Sequence, residues 1–519
     1  MARFRPGGMR PHLLDPLGEA PPGAAPGSLA DALIHDLDLD IVLDAMAAGD
    51  ARIREVARSV VLGSPGTSLE AIRHRQAVLE DCLRAPEAFR ALYRLATEAI
   101  EGRRRRYGGY FGRSPSGLLY GAIETLSAFL EVLREVRGVA EAWAPRFHSP
   151  GLTALCAGLR RELADAWLAQ AARYLDLLQF RHGMLVGASL GRRNEGVDYI
   201  LEPPPARPPC GLLRLLRGER EGFTFRIAER DDAGARALSH LRNRGLDSVA
   251  NGLTQAADHV QGFFEALRDE TGFYLGSLNL HARLTAIGVP IAMPVPEPIG
   301  SGRLRCRGLA DVSLALRTGR APVGNAFEAD GRTLLIITGA NQGGKSTLLR
   351  SLGLALLMMQ SGMFVGAESC RAALCSGLFT HFTREEDATM TRGKLEEELA
   401  RLRAIVDACA PGAWLLLNES FAATNERAGS ALAREVVLAL VERGLRVGFV
   451  THLYLFAHAM FAEGRADTLF LRAERGPGGA RSYRVTPGEP METSYGQDVL
   501  REVFGPAARP PEGDPRCSR

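Results

Sequence analysis

A chain of 519 residues is more than one ordinary core organises, and it calls for roughly two to four domains. Its 46% hydrophobic and 24% charged content is that of a soluble globular protein, and a net charge of +3 excludes a global polybasic field, so any nucleic-acid surface must be local. The eight cysteines are scattered without a Cys-x-x-Cys or a His-Cys pairing, which favours reduced thiols over a disulfide framework or a structural metal site.

The first 30 residues, rich in Pro and Gly, read as a disordered leader with early arginines and no apolar core, hence not a signal peptide. From 31 to about 290 the pattern is helical. The stretch 71–100 places Ile72, Val78, Leu79, Cys82, Phe89, Leu92 and Leu95 at helical steps, and 123–143 and 251–284 repeat the pattern. Proline-rich segments at 202–209 and 293–300 read as connectors. Within this half, "EGRRRRYGGYFGR" sets Arg103, Arg104, Arg105 and Arg106 beside Tyr107. Such a cluster can grip phosphates and stack on bases, or it can be a solvated charge run.

From about 291 to 505 short apolar runs alternate with helical stretches. The expected strands are 333–338, 377–383, 413–419, 446–452 and 468–474, with helices near 345–361, 391–409 and 427–443. This alternation predicts an α/β layer fold with a mostly parallel sheet. The most apolar stretch, 352–379, is broken by Gln360, Ser361, Glu368 and Arg371 and reads as buried helix and strand, so no membrane span and a cytoplasmic location are expected. Residues 506–519 read as a flexible tail.

The first predicted strand runs into Gly339-Ala-Asn-Gln-Gly-Gly-Lys-Ser346, which fits the phosphate-loop pattern G-x-x-x-x-G-K-[ST] in its strand–loop–helix context. Among 63 Lys and Arg, lysine stands only at 345 and 394, so a chain that otherwise writes arginine has kept a compact ammonium here. Gly339, Gly343 and Gly344 let backbone N–H groups curl around phosphate, with Asn341 in the loop and Thr347 opening the helix; Lys345 balances the terminal phosphates and Ser346 offers a hydroxyl to Mg²⁺. ATP and Mg²⁺ are the implied ligands. Downstream, "AWLLLNES" ends an apolar strand in Asn418 and Glu419. Glu419 is the candidate general base, and Asn418 can hold the metal through a water without adding charge. Thr451-His452, after another strand, sits where a residue senses the terminal phosphate.

Together these segments resemble the ATPase part of the MutS family of mismatch-repair proteins. "LLIITGANQGGKSTLLRSLGLALLMMQSGMFVGAE" is similar to that family's strand, G-P-N-M-G-G-K-S-T loop and helix. "LLLNESFAATNERAG" is similar to its D-E-x-x-R-G-T stretch, "VTHLYLF" to its T-H motif, and "SYGQDVLREVFG" to its late S-Y-G element. More weakly, 72–83 resembles the helical core and 270–284 the lever helix. The resemblance implies a P-loop NTPase fold of the ABC/MutS type preceded by a helical core and lever, ATP hydrolysis by Lys345, Glu419 and His452, a conformational switch acting on DNA, and a homodimer with composite sites. In that dimer the loop of Ser420, Thr424 and Asn425 would face the partner's phosphate loop.

Departures shape the expectation. Ala340, Gln342 and Asn418 replace the family's Pro, Met and Asp, and its S-T-F stretch is replaced near Gly393-Lys394-Leu395. Lys394 either supplies the missing contact to the partner's nucleotide or is a solvated helix-start residue. No room is evident for a mismatch-reading domain, and the F-x-E matches at Phe129, Phe263 and Phe461 read as packing residues. Two other readings stay open: a nucleotide-switched scaffold with little hydrolysis, and another ABC-type ATPase of chromosome maintenance.

Overall fold

The computed structural model describes residues 10–16, 27–107, 114–181, 183–193, 195–202, 226–383, 393–475 and 481–491. The late S-Y-G element, the tail and most of the leader lie outside them, as do the side chains of Arg106, Tyr107 and Lys394. The chain forms two compact units, one of Met1–His12 with Ala85–Thr271 and one of Leu13–Arg84 with Gly272–Arg519.

The first unit holds α5 (Pro86–Tyr107), α6 (Pro115–Trp143), α7 (Pro150–Glu162), α8 (Asp165–Leu177) and most of α9 (Asp232–Ile287). Ser114 caps α6 and Ser149 caps α7, each with Pro at the helix start, where its missing N–H costs nothing. Among the described residues, the span Pro115–Arg146 is long and apolar enough to cross a membrane, and 44% of its most apolar window is buried inside the protein. Phe129 and Phe263 are buried, and the Phe129 ring lies 5.2 Å from that of Phe264. One departure from the helical expectation is the antiparallel hairpin of β1 (Leu185–Leu190) and β2 (Gly196–Glu202).

The second unit opens with α1 (Gly27–Asp36), α2 (Leu39–Ala47), α3 (Ala51–Leu62) and α4 (Leu69–Arg84). Its strand-rich part follows as β3 (Val295–Glu297), β4 (Leu304–Leu309), α10 (Val312–Thr318), β5 (Asn325–Glu328), β6 (Leu334–Thr338), α11 (Lys345–Gln360), β7 (Ser369–Ala373) and β8 (Leu378–Phe382). It ends with α12 (Lys394–Ala408), β9 (Trp414–Asn418), α13 (Glu426–Glu442), β10 (Arg446–Val450), α14 (Tyr454–Ala462), β11 (Thr468–Arg475) and β12 (Arg481–Pro487). The main sheet runs β12-β11-β6-β10-β9-β8, parallel except for the antiparallel edge strand β12. Its inner strands are continuous apolar runs because helices cover both faces.

Two features depart from the expectation. A second sheet, β3-β7-β4-β5, is mixed, with β4 antiparallel to both neighbours. The compact units also follow a different division from the segments 31–290 and 291–505, because α1–α4 group with the strand-rich part. The reason lies in α11, buried along nearly its whole length. The sheet covers one side, and the α1–α4 region supplies the other: α3 packs on α11, and Ser64 just after α3 donates to the Leu357 carbonyl. Such a helix, apolar all round, needs cover on every face.

Candidate nucleotide site

The site grows from the carboxyl edge of the main sheet, where open parallel sheets place their ligand crevices. Strand β6, wholly buried between β10 and β11, delivers the chain into the loop 339–344, and α11 starts at Lys345. Three loop residues take left-handed backbone: Gly339 at φ 111°, Gln342 at 57° and Gly344 at 92°. Two glycines are also demanded by space. A Cβ on Gly339 would meet the Ala473 backbone nitrogen at 2.9 Å, and one on Gly343 would meet the Ala473 methyl at 2.8 Å. Strand β11 therefore presses the loop into shape, and only glycine tolerates the approach.

Lys345, 4% exposed, folds back over this loop. Its Nζ donates to the Gly339 carbonyl at 2.8 Å, the Ala340 carbonyl at 3.0 Å and Asn341 Oδ1 at 3.3 Å. Burial pulls the ammonium below its ordinary pKa, and the charge of Glu419 partly restores it. One residue on, the Ser346 hydroxyl donates to Asn418 Oδ1 at 2.7 Å, joining the start of α11 to the end of β9. These two oxygens suit a hard cation, which prefers oxygen ligands, but both are neutral. The site thus fits Mg²⁺ only with phosphate oxygens supplying the anionic ligands.

Beyond Asn418 the chain turns sharply, with Glu419 at φ 56°. The Glu419 N–H donates to the Val450 carbonyl at 2.8 Å, and the Thr383 hydroxyl donates to the Glu419 carbonyl at 2.8 Å. Thr451, buried, is pinned by its N–H to the Ile337 carbonyl and accepts the Leu453 N–H on its hydroxyl. The next residue, His452, is thereby held beside the acid, with Nδ1 3.9 Å from Glu419 Oε1. Both side chains are about one third exposed, at 38% and 36%. The structure therefore brings Lys345, Ser346, Asn418, Glu419 and His452 to one edge.

Other expected residues fall differently. Ser420 is fully buried: its hydroxyl lies 2.7 Å from His381 Nδ1 and donates to the His381 carbonyl, so it is not on a surface that a partner would meet. Asn425 is exposed and its side chain accepts the Ala428 N–H to cap α13, while Thr424 is half-buried. Lys394 is the first residue of α12, after Gly393. In the basic cluster, Arg103 is tied to Asp258 at 2.7 Å and to Gln261, which makes it a structural residue of the first unit. Arg104 and Arg105 are exposed, and Arg105 lies 3.9 Å from Glu101. Sequence reasoning missed Ala473 and Thr383, whose roles come from contacts across distant strands and leave no local motif. It also missed Tyr483, whose carbonyl a Cβ on Gly344 would meet at 3.2 Å.

The family model described as MutS2 N-terminal domain matches residues 67–287, and that described as MutS domain V matches residues 335–508. An endonuclease MutS2 of Thermus thermophilus is 35% identical over 144 residues, 28% of this chain and 19% of that protein. A DNA mismatch repair protein MutS of Chloroflexus aurantiacus is 29% identical over 338 residues, 56% of this chain and 34% of that protein. A DNA mismatch repair protein MutS 2 of Haloarcula marismortui is 30% identical over 345 residues, 63% of this chain and 35% of that protein. The chain thus spans about a fifth to a third of the length of these relatives. With both family models matched in order and the loop, strand-end and Thr-His elements meeting at one sheet edge, the chain belongs to the MutS family.

Proposed function

We propose that this chain binds and hydrolyses ATP with Mg²⁺ and uses the cycle as a conformational switch acting on DNA, in repair or recombination. The observation that carries this reading is the convergence of Lys345, the 2.7 Å Ser346–Asn418 pair and the Glu419–His452 pair at the end of a P-loop NTPase-like parallel sheet. Lys345 would exchange its loop carbonyls for terminal phosphate oxygens. Ser346 and Asn418 would hold Mg²⁺, which when bound would draw charge off those phosphates. Glu419 would take a proton from the attacking water, with His452 orienting it or sensing the phosphate. The relatives named for DNA mismatch repair and the exposed Arg104 and Arg105 support DNA as the partner.

A homodimer with composite sites belongs to the same reading, with Asn425, Thr424 and Lys394 as residues facing the partner's nucleotide. Lys394→Ala should then keep nucleotide binding and lose turnover. The neutral Asn418 favours a second reading, a nucleotide-switched scaffold that hydrolyses little. Measured nucleotide affinity and steady-state turnover test the primary one. Lys345→Ala should abolish nucleotide binding, and Glu419→Gln should keep binding while turnover falls by about 10²-fold or more. Equal turnover in wild type and Glu419→Gln favours the scaffold; wild type that binds no nucleotide ends both readings.

A further inference from the structure

The turn after β9 carries the candidate general base, and its backbone runs against the preferences of its own residues. Glu419 sits at φ 56° and Phe421 at φ 68°, two left-handed residues separated only by Ser420. A bulky side chain in that region is an outlier, and it persists only where the surroundings impose it.

The sheet and α13 close the turn from two sides. The Val450 carbonyl takes the Glu419 N–H at 2.8 Å, and the Thr383 hydroxyl donates to the Glu419 carbonyl at 2.8 Å. The buried Phe421 ring stands edge-on to Phe449, with ring centroids 6.4 Å apart. Its carbonyl abuts Gly429 of α13, where a Cβ would come within 2.6 Å.

Polar groups of α12 and β8 close the remaining side. Glu398, 5% exposed on the second turn of α12, accepts the Phe421 N–H on Oε2 at 3.3 Å. His381, 2% exposed on β8, bridges the turn to the same helix. Its Nδ1 lies 2.7 Å from the Ser420 hydroxyl, while its Nε2 faces the Glu398 carbonyl at 3.1 Å and the Arg401 guanidinium at 3.2 Å. Arg401 also donates to the Phe382 carbonyl at 3.0 Å, which fastens α12 to the strand. An acid, an imidazole and a hydroxyl are costly to take out of water together, and a bonded network of them fixes one geometry. Ser420 and Phe421 are fully buried in it. The Glu419 side chain alone of the three reaches the sheet edge, with Oε1 3.9 Å from His452 Nδ1.

We propose that Glu398 and His381 are positioning residues for hydrolysis: through Phe421 and Ser420 they clamp the left-handed turn that aims the Glu419 carboxylate at the attacking water. The inference rests on the reading of Glu419 as general base and places that base's support on α12 and β8. A base works only within hydrogen-bond reach of its proton, and a misplacement of about 1 Å can cost roughly 10²-fold in rate. The phosphate loop leaves β6, and β10 and β9 stand between that strand and β8. Loss of the clamp therefore slows the chemical step and leaves nucleotide binding in place.

The test measures ATP affinity, steady-state turnover and backbone hydrogen exchange on the full-length protein. Glu398→Ala should bind ATP within about threefold of wild type and turn it over about tenfold or more slower. In the nucleotide-free variant the Glu419 and Phe421 amides should exchange about tenfold or more faster. Glu398→Gln, whose amide oxygen still accepts the Phe421 N–H, should restore both. In a Glu419→Gln background, adding Glu398→Ala should slow turnover no further, because the clamp acts through a carboxylate already removed. Ser420→Ala, which deletes a single oxygen, should show the same pattern at smaller size and serves where Glu398→Ala does not fold. Losses that multiply in the double variant overturn the proposal, as does wild-type turnover in Glu398→Ala. Equal turnover in Glu419→Gln and wild type instead ends the reading of Glu419 as base. Exchange of the Glu419 amide then decides the clamp by itself: faster in Glu398→Ala upholds it, and unchanged overturns it.

Discussion

At the scale of single residues, the site's unusual member is Asn418. Its amide oxygen accepts the Ser346 hydroxyl at 2.7 Å, so the oxygen pair proposed above for Mg²⁺ carries no charge. Asn418→Asp would keep the hydrogen bond and add the missing negative charge to the oxygen set, and hard cations bind more tightly as ligand charge rises. The Mg²⁺ concentration giving half-maximal ATP turnover should fall by about fivefold or more in a metal titration, with nucleotide affinity in the absence of metal unchanged or weaker. An unchanged metal requirement would remove Asn418 from the metal's surroundings. The placement of Lys345 at the start of α11, folded over its loop, was legible from the glycine-rich pattern between a strand and a helix, and the scarcity of lysine drew the eye to it. Ser420 was not legible: its neighbour Glu419 reaches the sheet edge while a reversed turn sends Ser420 inward to His381, and no motif records that turn.

At the scale of elements, the five parallel strands and three helices of the main sheet were readable because strands covered on both faces become unbroken apolar runs. The second sheet escaped because β4 and β7 set exposed arginine and serine between their buried residues instead of forming an unbroken apolar run, and β3 lies inside a proline-rich stretch that reads as a connector. Packing of α11 gives a direct check. A Cβ on Gly353 would meet Leu416 Cδ1 at 2.8 Å and Leu37 Cδ2 at 2.9 Å, one from the sheet and one from the N-terminal helices. Gly353→Ala should therefore lower unfolding stability by about 1–3 kcal/mol in a denaturant titration, despite alanine's better helix propensity. A stabilised variant would mean that the two leucines give way freely. The corner at Asp330 offers a second check, by pH. Partial burial opposes its charge, but the Leu304 N–H and the guanidiniums of Arg303 and Arg305 outweigh that and hold the carboxyl down to about 2. A carboxyl pKa depressed in the folded state stabilises above its ordinary value near 3.8, and that contribution drains away as pH falls toward 2. Allowing for water around half-exposed arginines, Asp330→Asn should cost roughly 1 kcal/mol at neutral pH and nothing at the acid end.

At the scale of the whole molecule, the second unit is built from two separated stretches of chain, Leu13–Arg84 and Gly272–Arg519. The ends of the gap meet: the Cys82 thiol lies 3.8 Å from the Tyr274 carbonyl, a contact internal to that unit. Further bonds tie the same two stretches, from the Tyr274 hydroxyl to the Leu13 carbonyl at 2.6 Å and from Asn279 to the Met46 carbonyl at 2.9 Å. The residues of the candidate site all belong to this unit, so replacing Ala85–Thr271 by a short Gly/Ser linker should leave a folded protein. Because the two ends already lie side by side, the loop-closure cost of such a linker is small and grows only slowly with its length. The shortened chain should unfold in one cooperative transition and bind ATP within a fewfold of full length, as read by calorimetry. The DNA contacts proposed for Arg104 and Arg105 would go with the excised segment, so its DNA affinity should fall and become less sensitive to salt. A shortened chain that folds and binds ATP but keeps full DNA affinity would place the DNA surface elsewhere, and one that cannot fold would show that the second unit depends on the first.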